Sequence, residues 1–163
     1  MPLLRNGHLM TDNPWIRLDD DAPQTTQALN AEQIDAPVLV SLSRFLELQA
    51  HANSRVSGVF LSPEDDVQLL AEHLHRIQLI VIDFPKYTDG RGYSQARMLR
   101  EQFHFAGELR ASGDVRPDQL LFMARAGIDA FEFSDTPDEK QIRQILSRFQ
   151  VNYQPSYTLP VAG

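Results

Sequence analysis

Leu79-Ile-Val-Ile-Asp-Phe84, running into Pro85-Lys-Tyr-Thr-Asp-Gly-Arg-Gly-Tyr-Ser94, is the stretch that decides the fold class. Its first four residues are continuously apolar, without the alternation of a half-solvated strand. That pattern fits a strand buried on both faces, as in a parallel sheet covered by helices. At Asp83 the run breaks into a charged, glycine-paired loop, and a helix is expected around Ser94–Phe103. In open α/β sheets, ligands bind outside the carboxyl ends of the strands, at loops of this kind.

Outward from this centre the chain repeats the same unit. Val38–Leu42, Val56–Leu61, Glu108–Ser112 and Ala130–Phe133 read as four further strands. Helices are expected at Ser43–His51, with Ser43 as cap, and at Val67–Arg76, with Pro63 opening it and acids in the first turn. Two more are expected at Pro117–Ala126, closed by Gly127, and at Asp138–Phe149. The pattern predicts one α/β domain over residues 37–150. It would be a mostly parallel sheet of about five strands flanked by helices, a flavodoxin-like open sheet wound on both faces. A partial barrel-like arrangement is the alternative; a complete eight-unit barrel needs roughly 250 residues. Residues 1–36 read as peripheral, an edge strand or small hairpin near Trp15-Ile16 followed by a linker. Residues 151–163 read as a tail that wraps back over the domain or reaches a neighbouring subunit.

Composition narrows the function classes. With 42% hydrophobic and 23% charged residues the chain has the balance of a soluble globular protein. It has no membrane-length apolar run and no signal-peptide core, so the cytoplasm is the expected location. The net charge of −7 opposes nucleic-acid binding, which needs a basic face. No cysteine is present, which excludes disulfides, a thiol nucleophile and cysteine-ligated metal centres. Redox chemistry, if the protein takes part in any, must run through a bound organic cofactor or a partner.

Charge in the loop runs against this acidic background. Lys86, Arg91 and Arg97 stand with Asp83 and Asp89 within residues 83–97. Glycines at 90 and 92 are expected to permit φ > 0 and close approach to a ligand. Lys86, Arg91 and Arg97, with Arg110 from the next strand, suit a carboxylate, phosphate or sulfur oxyanion. Asp83, at a buried strand end, and Asp114, in the following strand's exit, are the candidate acids or bases. Asp89, Gly90, Gly92, Tyr93 and Ser94 would shape the loop and the start of one helix, and Asp118 the start of another. Each has an ordinary alternative: a turn at Asp89-Gly90, a cap at Ser94, a proline-led helix start near Asp118. Gly90-Arg-Gly92 lacks the third glycine of a dinucleotide fingerprint, and no phosphate-loop lysine motif occurs. His73 and His75 are spaced to point apart on a helix, and no metal site is expected.

Two segments carry a resemblance. Ile82-Asp-Phe-Pro-Lys-Tyr-Thr-Asp-Gly-Arg-Gly-Tyr-Ser-Gln-Ala-Arg97 and Gly107-Glu-Leu-Arg-Ala-Ser-Gly-Asp-Val-Arg-Pro-Asp-Gln119 are similar to domain of unknown function family 934. The similarity extends over roughly residues 55–155. This bacterial family is labelled as an oxidoreductase involved in sulfite reduction, a label resting on genes that neighbour sulfite reductase. The resemblance implies an accessory protein of assimilatory sulfite reduction, with sulfite reductase or its electron donor as partner and a small anion as ligand. It assigns no catalytic residue and no cofactor; a flavin or nicotinamide would have to bind without the usual fingerprint. Two alternatives stand beside it: a non-catalytic adaptor docking on the reductase, and an unrelated small-molecule enzyme using the same rim.

Overall fold

The computed structural model describes residues 2–20, 36–49 and 56–152. The expected linker after Asp20 and the tail from Tyr153 lie outside the described residues. The rest forms one eight-stranded sheet. In chain order its strands are β1 (Leu3–Arg5), β2 (His8–Met10), β3 (Ile16–Arg17), β4 (Val38–Ser41), β5 (Val56–Leu61), β6 (Leu79–Phe84), β7 (Glu108–Gly113) and β8 (Ala130–Glu132). Their spatial order is β2-β1-β8-β7-β6-β5-β4-β3. From β3 to β8 every pairing is parallel and every neighbour is the next strand in sequence. The β1–β2 hairpin turns at Asn6 and Gly7, both at positive φ, and adds two antiparallel strands beside β8.

This order corrects the expectation of a doubly wound sheet. Doubly wound sheets reverse their strand order, and here the order never reverses. With right-handed crossovers, unbroken order puts all connecting helices on one face and lets the sheet curl as a half-barrel. The partial-barrel alternative fits. Helices α1 (Leu42–Leu48), α2 (Arg91–Arg97), α3 (Leu120–Ala126) and α4 (Glu139–Asn152) pack against that one face. Phe45, Ala96, Leu120, Met123, Ala124 and Ile142 meet Val40, Val59, Ile80, Ile82, Leu109 and Phe131 in the main core. The concave face carries a smaller cluster, Leu39, Leu79 and Val81, with Trp15 and Phe60 packed on it.

Local chemistry explains the differences at element ends. Ser41, not Ser43, caps α1 by accepting from Arg44 N. The segment expected as a helix over 67–76 is two 3-10 turns, Val67–Leu70 and Leu74–Arg76. Its buried residues, Val67 and Leu70, are three apart, a spacing that a 3-10 turn stacks on one side. Helix α2 starts at Arg91, three residues before Ser94, because Asp89 Oδ1 accepts from Arg91 N. It continues as a π-helical turn over Met98–Gln102. Gly127 ends α3 at φ 115, as its position predicted.

Opposite the candidate rim, at the amino ends of the strands, sits a buried clamp. Arg100 donates to the carbonyls of Gly127 (2.9 Å), Phe105 (2.7 Å) and Gly107 (2.8 Å) and faces Asp129 Oδ2 at 3.2 Å. Asp129 Oδ1 accepts from Leu109 N at 2.9 Å. Burial outweighs these partners and pushes the Asp129 carboxyl up to about 6.

Candidate functional site

Parallel strands direct their exits to one edge, and three exits meet here. Asp83 and Ser112 pair in register at the ends of β6 and β7, and Asp114 follows directly, its N–H donating to Phe84 O at 2.7 Å. Ser134 and Asp135 leave β8 and, with Asp114, Arg116, Thr136 and Asp138, line an open depression of about 420 Å³. Polar groups that follow β7 and β8 therefore share one depression. Asp83 does not line that depression, and the carboxylates around it outnumber the cations.

Two opposite-charge pairs, Asp89 with Arg91 and Asp114 with Arg116, organise the loops. Arg91 grips Asp89 through Nη2–Oδ2 at 2.7 Å and Nε–Oδ1 at 3.0 Å, and stands 3.6 Å from Glu64. Arg91's hydrogen bonds hold the Asp89 carboxyl down at about 2. Asp114 is tied in the same way: Arg116 Nε donates to it at 3.1 Å and Tyr87 N at 3.1 Å. Those bonds, Arg116 first, lower its pKa and keep it ionised. Arg116 lies over the Tyr87 ring, 3.8 Å from its centroid. Asp114 thus organises the loop and is poorly placed to exchange a proton. Lys86, Arg97, Ser94 and Asp118 are exposed around this loop.

The glycines and Tyr93 act differently from expectation. Gly90 has φ −79, and neither it nor Gly92 adopts a positive φ. Gly92 is required by packing, since a β-carbon there would stand 2.6 Å from the Phe84 ring. Tyr93 is half-buried with its ring edge-on to Phe84, 5.3 Å between centroids, so it belongs to the core margin.

Arg110 lies in another place. It is mid-strand on the concave face, opposite Val81 and Ala130, and only 1% exposed. Its guanidinium meets Glu108 at 2.7 Å, Glu132 at 3.1 Å and Asn13 Oδ1 at 3.1 Å. Arg5 adds a second cation on Glu108 at 3.2 Å. With carboxylates already on its donors, Arg110 is a structural cation and not a rim ligand.

Asp83 is the candidate that retains chemical freedom. It is half-buried on the concave side of the β6 end, and no hydrogen bond reaches its carboxyl among the described residues. Burial pushes its pKa up, against a smaller opposing pull from Arg17. Gly113, at φ 93, lets the β7 backbone pass beside it.

The concave face also holds residues that the sequence reading assigned to a peripheral segment. Asn13, Trp15 and Arg17 alternate along the extended segment that ends in β3 and lie over the sheet in turn. Asn13 meets Arg110 and Glu132, Trp15 covers Gly58, and Arg17 stacks on Phe60 at 3.7 Å. Their two-residue spacing was the signal that could have placed them on one face.

Among the described residues no group of His, Asp and Glu is arranged to hold a metal, and no helix is long and apolar enough to cross a membrane. No curated protein matches the chain. The family model for a bacterial protein of unknown function, DUF934, matches residues 58–162. That span takes in β6, β7, β8 and the whole rim they form, and the chain belongs to the DUF934 family.

Proposed function

We propose that the protein is an accessory protein of assimilatory sulfite reduction that binds a small anion at the carboxyl-end rim of β6 and β7. The pathway comes from the family resemblance; the place comes from one observation. Asp83 is a half-buried carboxyl at a central strand end, without a hydrogen-bond partner among the described residues and with its pKa raised by burial. Such a group is suited to give or take a proton from a bound oxyanion. Deleting the gene and testing sulfate, sulfite and sulfide as sole sulfur sources tests the reading. Growth on sulfide alone, restored by the wild-type gene and not by Asp83→Asn, is expected. Equal growth on all three removes the sulfur assignment.

A second reading, an adaptor that docks on the reductase or its electron donor, is favoured by a separate observation. Arg91 and Arg116 already have carboxylate partners, while Tyr87 and Phe122 remain 42% and 60% exposed. Exposed aromatics beside satisfied charges suit a protein contact better than an ion site. Co-elution of the purified chain with the reductase, lost in Phe122→Ser, would separate the adaptor from a free-standing binder.

A further inference from the structure

Of the rim cations, Arg91 and Arg116 are held by carboxylates, while Lys86 and Arg97 are exposed on the loop and its helix. The concave face, on which Asp83 lies, supplies a further cation. We propose that Arg17, held on the ring of Phe60, is the anion anchor of the site, and that with Asp83 it takes a small oxyanion carrying a single negative charge at the concave mouth of the half-barrel. This inference rests on the reading of Asp83 as the centre of the site and adds the ligand class and its principal contact.

Three observations carry it. First, the position of Arg17 is imposed by its neighbours. Ile16 N donates to Pro37 O and Leu18 N to Leu39 O, both at 3.0 Å, which fixes the segment as a parallel strand. Trp15 packs on Gly58 from the same face, so alternation directs Arg17 over the same sheet. The guanidinium carbon then sits 3.7 Å from the Phe60 ring centroid. An aromatic ring fixes an arginine while leaving its N–H edge to a ligand.

Second, Arg17 is exposed, and no carboxylate among the described residues is within ion-pair distance of it. That separates it from Arg91, Arg110 and Arg116, which are all paired. Third, Phe60 pairs in register with Ser41 on one side and Val81 on the other, and Asp83 lies two residues further along β6. Cation, aromatic floor and carboxyl therefore follow one another toward the carboxyl ends of the strands, where Ser112 stands opposite Asp83.

The charge balance sets the ligand class. Arg17 is the cation that acts on Asp83, and Glu64, itself 3.6 Å from Arg91, is the carboxylate that opposes it. A monoanion is matched by Arg17, and burial, which favours the neutral form of the Asp83 carboxyl, favours the form that can donate to it. A dianion doubles both its attraction to Arg17 and its repulsion from the carboxylates, and leaves one of its own charges without a cation.

The test is a titration of the ¹⁵N-labelled full chain at pH 7, first with sodium acetate and then with sodium sulfate at equal ionic strength. Saturable shifts are expected at the Arg17 Nε–H and at the amides of Phe60 and Asp83, with acetate bound more tightly than sulfate. Arg17→Ala should weaken acetate binding about tenfold or more, the value of a lost charge-assisted hydrogen bond. Arg17→Lys should keep part of it. Asp83→Asn, whose amide always donates, should bind acetate at least as tightly as the wild type while failing in the growth test. Shifts that map to Lys86 and Arg97 and survive Arg17→Ala, or sulfate bound as tightly as acetate, would overturn the proposal. Failure of the sulfur-source test with these shifts intact would remove the pathway and leave the Arg17 site standing.

Discussion

A β-carbon added to Gly113 would stand 2.7 Å from Asp83 Oδ1, so the emptiness of one residue sets the room around the carboxyl of the other. The same β-carbon would run into the carbonyl of Phe84, and Gly113 has φ 93, a conformation that L side chains rarely adopt. Gly113→Ala should cost about 1–3 kcal/mol in urea unfolding from backbone strain alone. It should also move the Asp83 carboxyl resonance. A neutral effect on both would mean that β7 can shift away from β6 at no cost.

Arg110 should behave as a buried cation whose removal strands its partners. Arg110→Ala leaves Glu108 and Glu132, both largely buried, short of their closest donor. A loss of about 3–5 kcal/mol is expected by chemical denaturation, because an uncompensated buried charge costs more than the pair contributes. Adding Glu132→Gln to Arg110→Ala should recover part of it. Equal stability of Arg110→Ala and the wild type would show that the cluster is solvated.

Asp129 predicts an unusual pH dependence. Its folded pKa, pushed up to about 6, lies above the unfolded value of 3.8. The folded state therefore holds a proton that the unfolded chain releases between these values. The stability it contributes is present below the unfolded pKa and is lost as pH rises through about 6. The full excursion is at most about 3 kcal/mol. Asp129→Asn cannot titrate, so the wild type should lose ground to that variant between pH 4 and pH 7. Parallel stability curves for the two proteins would show that Arg100 keeps the carboxyl at its ordinary value.

Trp15 is the single tryptophan, and it reports directly on the concave face. A β-carbon at Gly58 would come within 2.7 Å of its ring. Gly58→Ala should lift Trp15 from the sheet, shift its fluorescence to the red and increase quenching by iodide. Arg17, two residues on, should lose its seat on Phe60 in the same variant, weakening acetate binding. Unchanged emission would mean that the N-terminal segment can slide and stay seated.

The strands of the parallel sheet were legible because their burial is written locally. Val56–Leu61 was read to the residue, and Leu79–Phe84 and Glu108–Gly113 within one residue. Strand order was not legible, since it depends on which distant segments pair, and the open doubly wound expectation failed there. At the rim, the local charge pairing was not read. Asp89 with Arg91, and Asp114 with Arg116, are two residues apart and neutralise each other in each loop. A reading that treated Arg91 and Arg110 as free ligands counted charges already spent. Arg17 was missed because a three-residue alternation in a proline-bounded segment resembles a loose end until a sheet lies beneath it.

The N-terminal strands have a consequence for how the molecule is made. β1 closes onto β8 through Leu4 and Phe131, and β3 begins the other edge through Ile16 and Val38. On the ribosome, the hairpin emerges first and must wait for almost the whole described chain before its partner exists. Contacts so far apart in sequence form late and slowly. Until then Asn13 has no Glu132 to meet and the β8 edge of the sheet stays unpaired. Trp15 and Arg17 need only β4 and β5 to be seated, and Asp83 follows on β6, so the two ends of the N-terminal segment are bound to the sheet at opposite ends of synthesis.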